Sequence, residues 1–128
     1  MARSLDLSPA VPGHLQMIQG YRQGGFTIGG TRHEGPVVVL KEHTIAWSIP
    51  SFEQLSVESL EPVLAAEPAI EILVVGAGAR FAMVSPDFRQ AARERGVTIE
   101  CMDTPAACRT FNVLLAEDRR VAAALIPV

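Results

Sequence analysis

Residues Glu100–Leu125 read ECMDTPAACRTFNVLLAEDRRVAAAL, and they lay out a strand, a turn, a capped helix and a returning strand in direct succession. Val97–Met102 has the β-branched and apolar content of a strand. Thr104 followed by Pro105 predicts a helix start, because a short hydroxyl side chain caps free N–H groups and proline at the first position lacks one to satisfy. Ala107, Cys108, Phe111, Leu114 and Leu115 then recur at helical spacing, as one buried stripe requires. Arg120–Ile126 is the returning strand, and the small Ala122–Ala124 suit a strand lying under packed helices.

The same device appears upstream. Ser85 and Pro86 open a helix, Asp87 suits its positive end and Gly96 is placed to end it. The strand before it, Ile70–Val75, is apolar on both faces, which marks a central parallel strand covered on either side. Earlier still, Ser56 is read as the cap of a helix with Val57, Leu60 and Leu64 on its buried face, ended before Pro68. The first half holds four short strand-like runs, Met17–Tyr21, Gly25–Ile28, Val37–Leu40 and Thr44–Trp47. Gly24-Gly25 and Gly29-Gly30 mark turns, and an antiparallel β meander is expected. The order is a β meander followed by α-β-α-β-α-β. The fold class is therefore α/β (α+β mixed), with a mixed sheet flanked by helices. Residues 1–16 lack periodicity and are read as an irregular N-terminal arm, with 17–128 as a single globular domain.

Apolar residues make up 48% of the 128 and charged residues 20%, the balance of a folded protein with a core. The net charge is −3, with four basic and six acidic residues in Met1–Leu64 and seven and eight in Ala65–Val128. Neither half carries the basic field that nucleic acid requires, so no nucleic-acid partner is expected. No apolar run approaches the roughly 18 residues of a membrane span, and the N-terminal segment has neither an apolar core nor an Arg-rich pattern. A cytoplasmic location is expected. Ten of eleven basic residues are Arg, which with the many alanines suggests the coding bias of a high-GC bacterium. Cys101 and Cys108 are too few for a disulfide framework and lack CxxC spacing, so both are read as reduced thiols.

Two loops face the carboxyl ends of the parallel strands, where ligands of open α/β sheets bind. Gly76-Ala77-Gly78-Ala79-Arg80 allows close backbone approach and brings a cation, yet Phe81 stands where a dinucleotide fingerprint needs glycine, and no GxxxxGK[ST] loop occurs. Its glycines are read first as turn formers. Asp103-Thr104-Pro105 leads into a helix N-terminus that attracts anions, and Arg109 one turn in could clamp a carboxylate or phosphate. The plainer reading makes Thr104 a cap and pairs Arg109 with Asp103, Glu100 or Glu117. Cys108 lies close enough to the helix start for an activated thiol, but its place in the apolar stripe argues for a core residue. His14, His33 and His43 lack metal-ligand spacing, and there is no GxSxG elbow. No catalytic residues, cofactor or metal are expected, and nothing in the sequence requires an enzyme.

Glu100, Met102-Asp103-Thr104, Ala107-Cys108-Arg109-Thr110, Asn112-Val113-Leu114-Leu115, Glu117, Arg119-Arg120-Val121 and Ala123-Ala124-Leu125 resemble the C-terminal block of a small domain family of unknown function. That family includes mitochondrial complex I assembly factor three. VVGAGA at 74–79 is similar to its glycine loop, and the region of Tyr21, Phe26 and Trp47 to its β-rich first half, so the resemblance runs from about Ile18 to Val128. It implies a mixed five-stranded sheet with helices on its faces and a small additional β layer. The family's bacterial and archaeal branch has no established activity, while its mitochondrial branch acts as a non-catalytic assembly factor for respiratory complex I.

Three expectations follow. The leading one is a non-enzymatic interaction protein assisting assembly of a respiratory or other membrane-associated complex, with a protein partner contacting Gly76, Gly78, Arg80, Asp103, Thr104, Arg109 and Asn112. The alternative is a small-molecule or anion-binding protein, or an enzyme, using the Gly76–Arg80 and Asp103–Arg109 loops. A thiol-redox role for Cys108 is third. The sheet edges of a meander leave homo-oligomerisation open.

Overall fold

Two-residue turns fold the first part of the chain back on itself twice. In the computed structural model, which describes residues 15–49 and 51–128, Gln23-Gly24 joins β1 (Ile18–Arg22) to β2 (Gly25–Ile28), and Gly29-Gly30 joins β2 to β3 (Thr31–Glu34). Gly29 and Gly30 have φ of 56° and 85°. Both central residues are thus left-handed, as the tight hairpin turn that matches strand twist demands. The three strands form an antiparallel sheet of their own, in the order β1-β2-β3.

The expected meander therefore divides between two sheets. Strand β3, TRHE, carries no apolar alternation and gave no strand signal; it is held by register with β2, which pairs Phe26 with His33 and Thr27 with Arg32. The next hairpin, β4 (Val37–Val39) and β5 (Thr44–Ala46), joins the larger sheet, whose order is β5-β4-β8-β6-β7. In it β6 (Ile72–Gly76) lies between β7 (Thr98–Met102) and β8 (Val121–Leu125), parallel to both, while β4 meets β8 antiparallel. This is the mixed five-stranded sheet with an additional β layer.

Alternation along β6 explains why its sequence is apolar on both faces. Leu73 and Val75 point into one core with Val38, Ile99, Ala122 and Ala124, covered by Trp47, by Val63 of α1 (Glu61–Leu64) and by Ala92 of α2 (Pro86–Glu94). Val74 points into the other with Val37, Val39, Val121, Ala123 and Leu125. There it meets Ala107, Cys108, Phe111 and Leu115 of α3 (Thr104–Ala116), and Phe26 and Ile28 of the small sheet.

Helix ends follow short-range rules with two corrections. Ser85 caps α2 as expected, its Oγ accepting from Phe88 N at 3.1 Å. The segment after Ser56 is shorter than its periodicity suggests: a 3-10 turn, Glu58–Leu60, precedes the single turn of α1. Ser56 stands one residue before the N-cap position, which is Val57, and it bonds the turn from there: its Oγ accepts from Ser59 N while Ser59 Oγ accepts from Ser56 N. The cap of α3 is Asp103, not Thr104, for reasons that belong to the site.

Candidate functional site at the carboxyl ends of the parallel strands

Asp103 leaves β7 in an extended conformation, and its Oδ1 accepts from Ala106 N at 2.9 Å. A carboxylate here satisfies a free donor and sits at the positive end of α3. Thr104, one residue into the helix, is thereby released for tertiary bonding. It is fully buried, at 0% exposure. Its Oγ1 accepts from Gly78 N at 2.9 Å and donates to Ile126 C=O at 2.6 Å, while its own N–H donates to Gly78 C=O at 2.8 Å.

These bonds join the ends of all three parallel strands. Ala77 N, just past β6, donates to Met102 C=O of β7, and Ile126 N, just past β8, donates to Gly76 C=O, both at 2.9 Å. Gly76 is where α3 comes closest to the sheet. A Cβ there would stand 2.8 Å from Thr104 Oγ1 and 3.0 Å from Thr104 Cα and Leu125 Cδ2, so only glycine fits without movement. Gly78 has φ +102°, a conformation L side chains rarely adopt, and this turn brings both its N–H and its C=O to Thr104.

The first turn of α3 keeps none of its early donors free. Thr104 N is taken by Gly78, Pro105 has no N–H, Ala106 N is taken by the Asp103 side chain and Ala107 N by the Asp103 carbonyl. An anion at this end would have to displace bonds made within the chain.

The other candidates separate. Asn112 does not face the Gly76–Arg80 loop but lies two turns along α3, against β1. Its Oδ1 accepts from Ile18 N and its Nδ2 donates to Ile18 C=O, each at 2.8 Å, so the side-chain amide imitates a neighbouring strand and ties the small sheet to the helix. Arg80 and Arg109 are exposed, and among the described residues neither makes a hydrogen bond or ion pair. The pairing of Arg109 with Asp103, Glu100 or Glu117 is not formed. Cys108 is buried, and burial pushes its thiol up to about 12 against a smaller downward pull from the Arg109 guanidinium. At neutral pH it is a protonated core thiol, which argues against the activated-thiol reading. Among the described residues no group of three or more His, Cys, Asp and Glu is placed to hold a metal, and no helix is long and apolar enough to cross a membrane.

Two further features have no local sequence signal. Phe81 and Met83, in the loop after Arg80, are 60% and 62% exposed, and isolated apolar residues in a loop give no periodic signal. At the opposite, amino end of the same strands, Glu71 bonds both Arg119 and Arg120. Their positions immediately before two apolar strands were the available clue, but only the strand order brings them together.

The class these features define is a small α/β domain in which one helix and a three-stranded layer cover one face of a mixed sheet. The chain belongs to the family described as "Protein of unknown function (DUF498/DUF598)", whose model matches residues 18–126. It is 44% identical over 110 residues to the mouse protein named NADH dehydrogenase [ubiquinone] 1 alpha subcomplex assembly factor 3, a match covering 86% of this chain and 60% of that protein. It is 32% identical over 124 residues to an uncharacterised protein of Rhodobacter capsulatus, covering 95% and 94% of the two chains. A crystal structure from Bordetella parapertussis superposes with a TM-score of 0.82 at 30% identity, over 94% of this chain and all of that one.

Proposed function

We propose that this chain is a non-enzymatic protein-binding module that assists assembly of a respiratory or other membrane-associated complex. The observation that carries this reading is the 44% identity with an assembly factor of NADH dehydrogenase, over nearly the whole domain. The geometry supports it in one respect. The polar atoms at the carboxyl ends of the strands are spent on one another, so what projects outward is side chain: Arg80, Phe81 and Met83 from one loop, and Arg109 from α3. In this reading Gly76, Gly78, Asp103, Thr104 and Asn112 hold the surface in place, and the outward side chains meet the partner. Apolar side chains flanked by arginine are what protein interfaces favour at their centres.

The test is deletion of the gene in its own host, followed by native gels and NADH:quinone oxidoreductase activity of membranes. The expected result is less assembled complex, restored by the wild-type chain and not by a folded R80E/F81S/M83S variant. Normal levels of assembled complex in the deletion strain would refute the proposal.

A further inference from the structure

The amino end of the parallel strands holds a cleft of about 870 Å³, within the roughly 300–1,000 Å³ of small-molecule sites. Its apolar lining comes from Leu40 after β4, Ile45 in β5 and Ile70 before β6, on the face of the sheet that α1 and α2 cover. Part of its rim is charged because register places two strand entries side by side. Ile72 pairs with Val121, so Glu71 comes beside Arg119 and Arg120. Arg120 Nη2 donates to Glu71 Oε2 at 2.6 Å and Arg119 Nη2 to Glu71 Oε1 at 3.2 Å.

Two guanidinium groups thus share one carboxylate, which leaves one positive charge in local excess and most of their N–H donors unspent on it. Lys41, also on the rim, is offset by Asp118 at 3.0 Å. Glu42 and Glu67 line the cleft as well, so among the described residues three cationic side chains stand against four carboxylates on the rim. Any preference for an anion therefore rests on the local excess at Arg119 and Arg120, not on the cleft's net charge.

We propose that this cleft binds a single-chain anionic amphiphile, with its headgroup on Arg119 and Arg120 and its apolar chain along Leu40, Ile45 and Ile70. The headgroup competes with Glu71, whose ion pairs are solvent-exposed and so weakly held. The apolar chain gains by leaving water for the lining.

The experiment is titration of the ¹⁵N-labelled full chain with dodecanoate below its micellar concentration, followed through backbone amide shifts. Saturable shifts are expected at Ile45, Ile70 and Val121 and not at Gly76 or Gly78. Binding should weaken about tenfold or more in R119Q/R120Q, and be unchanged in R80Q. Acetate tests the headgroup alone, dodecyltrimethylammonium tests the sign of the charge, and phosphatidylglycerol vesicles test whether a bilayer is the true source of the chemistry. Absence of saturation overturns the proposal, as does acetate or the cationic amphiphile binding as tightly as dodecanoate, or vesicles binding where free dodecanoate does not. Should R119Q/R120Q fail to fold, Ala65→Trp serves instead. Ala65 is exposed and lines the cleft, so the indole should obstruct the apolar chain with the arginines intact, and unchanged affinity in that variant also overturns the proposal.

Discussion

The two ends of the parallel strands use polar residues in opposite ways. At the carboxyl end, Thr104 is fully buried and one hydroxyl bridges the chain after β6 to the chain after β8. At the amino end, Glu71 and the two arginines also bridge β6 and β8, but as ion pairs open to solvent above a cleft. Open α/β sheets usually take ligands at the carboxyl end, yet here the first turn of α3 fills that space, to the point that Gly76 has no room for a methyl group. Which end is vacant depends on how closely a helix approaches the sheet, and that is set by residues as small as one glycine and one threonine.

If this contrast is right, the largest loss of stability comes from Thr104→Val. Valine keeps the shape and removes the hydroxyl, leaving Gly78 N–H unpaired in the interior and Ile126 C=O unpaired in a half-buried position. Each unsatisfied buried group costs ~1–3 kcal/mol, so urea unfolding should show a loss of about 3 kcal/mol. A loss of less than about 1 kcal/mol would mean that the joint is not tightly closed. Gly76→Ala comes next, at about 1–3 kcal/mol, because its methyl group meets the α3 backbone as well as a movable side chain. Both variants should leave binding in the amino-end cleft unchanged.

Asn112→Ala follows, at about 1–2 kcal/mol. Both hydrogen bonds to Ile18 vanish, but the side chain is half-buried and water can reach part of the gap. The loss should appear as faster hydrogen exchange in β1 and β2 before it appears in β6, since Asn112 bonds the small sheet only.

Particular residues show how much of this was legible beforehand. The stripe of α3, the cap at Ser85 and the two-faced β6 are local patterns, and the structure has them where the sequence put them. Local sequence alone places the cap of α3 one residue late, because Asp103 and Thr104 are both good caps. What separates them is that Ile126 and Gly78, more than twenty residues away on either side, claim the threonine hydroxyl. A polar residue within a helix, such as Asn112, suggests a surface contact, but its partner, Ile18, stands 94 residues earlier. Strand β3 has no hydrophobic pattern because it is held by backbone pairing and not by burial of its side chains. The cleft was hidden for a related reason: Glu71 and Arg119-Arg120 meet only because β8 was laid beside β6, and strand order is not a local property.

The smallest effect expected, and the one that bears most directly on the contrast, is that of Glu71→Gln. The hydrogen bond from Arg120, then that from Arg119, holds the Glu71 carboxyl below the usual range for glutamate. A carboxyl whose folded pKa is lowered adds stability above its unfolded pKa of about 4.3 and loses that contribution as pH falls through the lower folded value. Replacing Glu71 should therefore flatten the acid limb of the stability curve slightly and leave the melting temperature near pH 7 almost where it was. The pairs are exposed, so solvent and salt screen them, and moderate salt should erase what difference remains. If Glu71→Gln at neutral pH instead costs as much as Thr104→Val, then the amino end is as much a structural joint as the carboxyl end, and the two regions differ in appearance only.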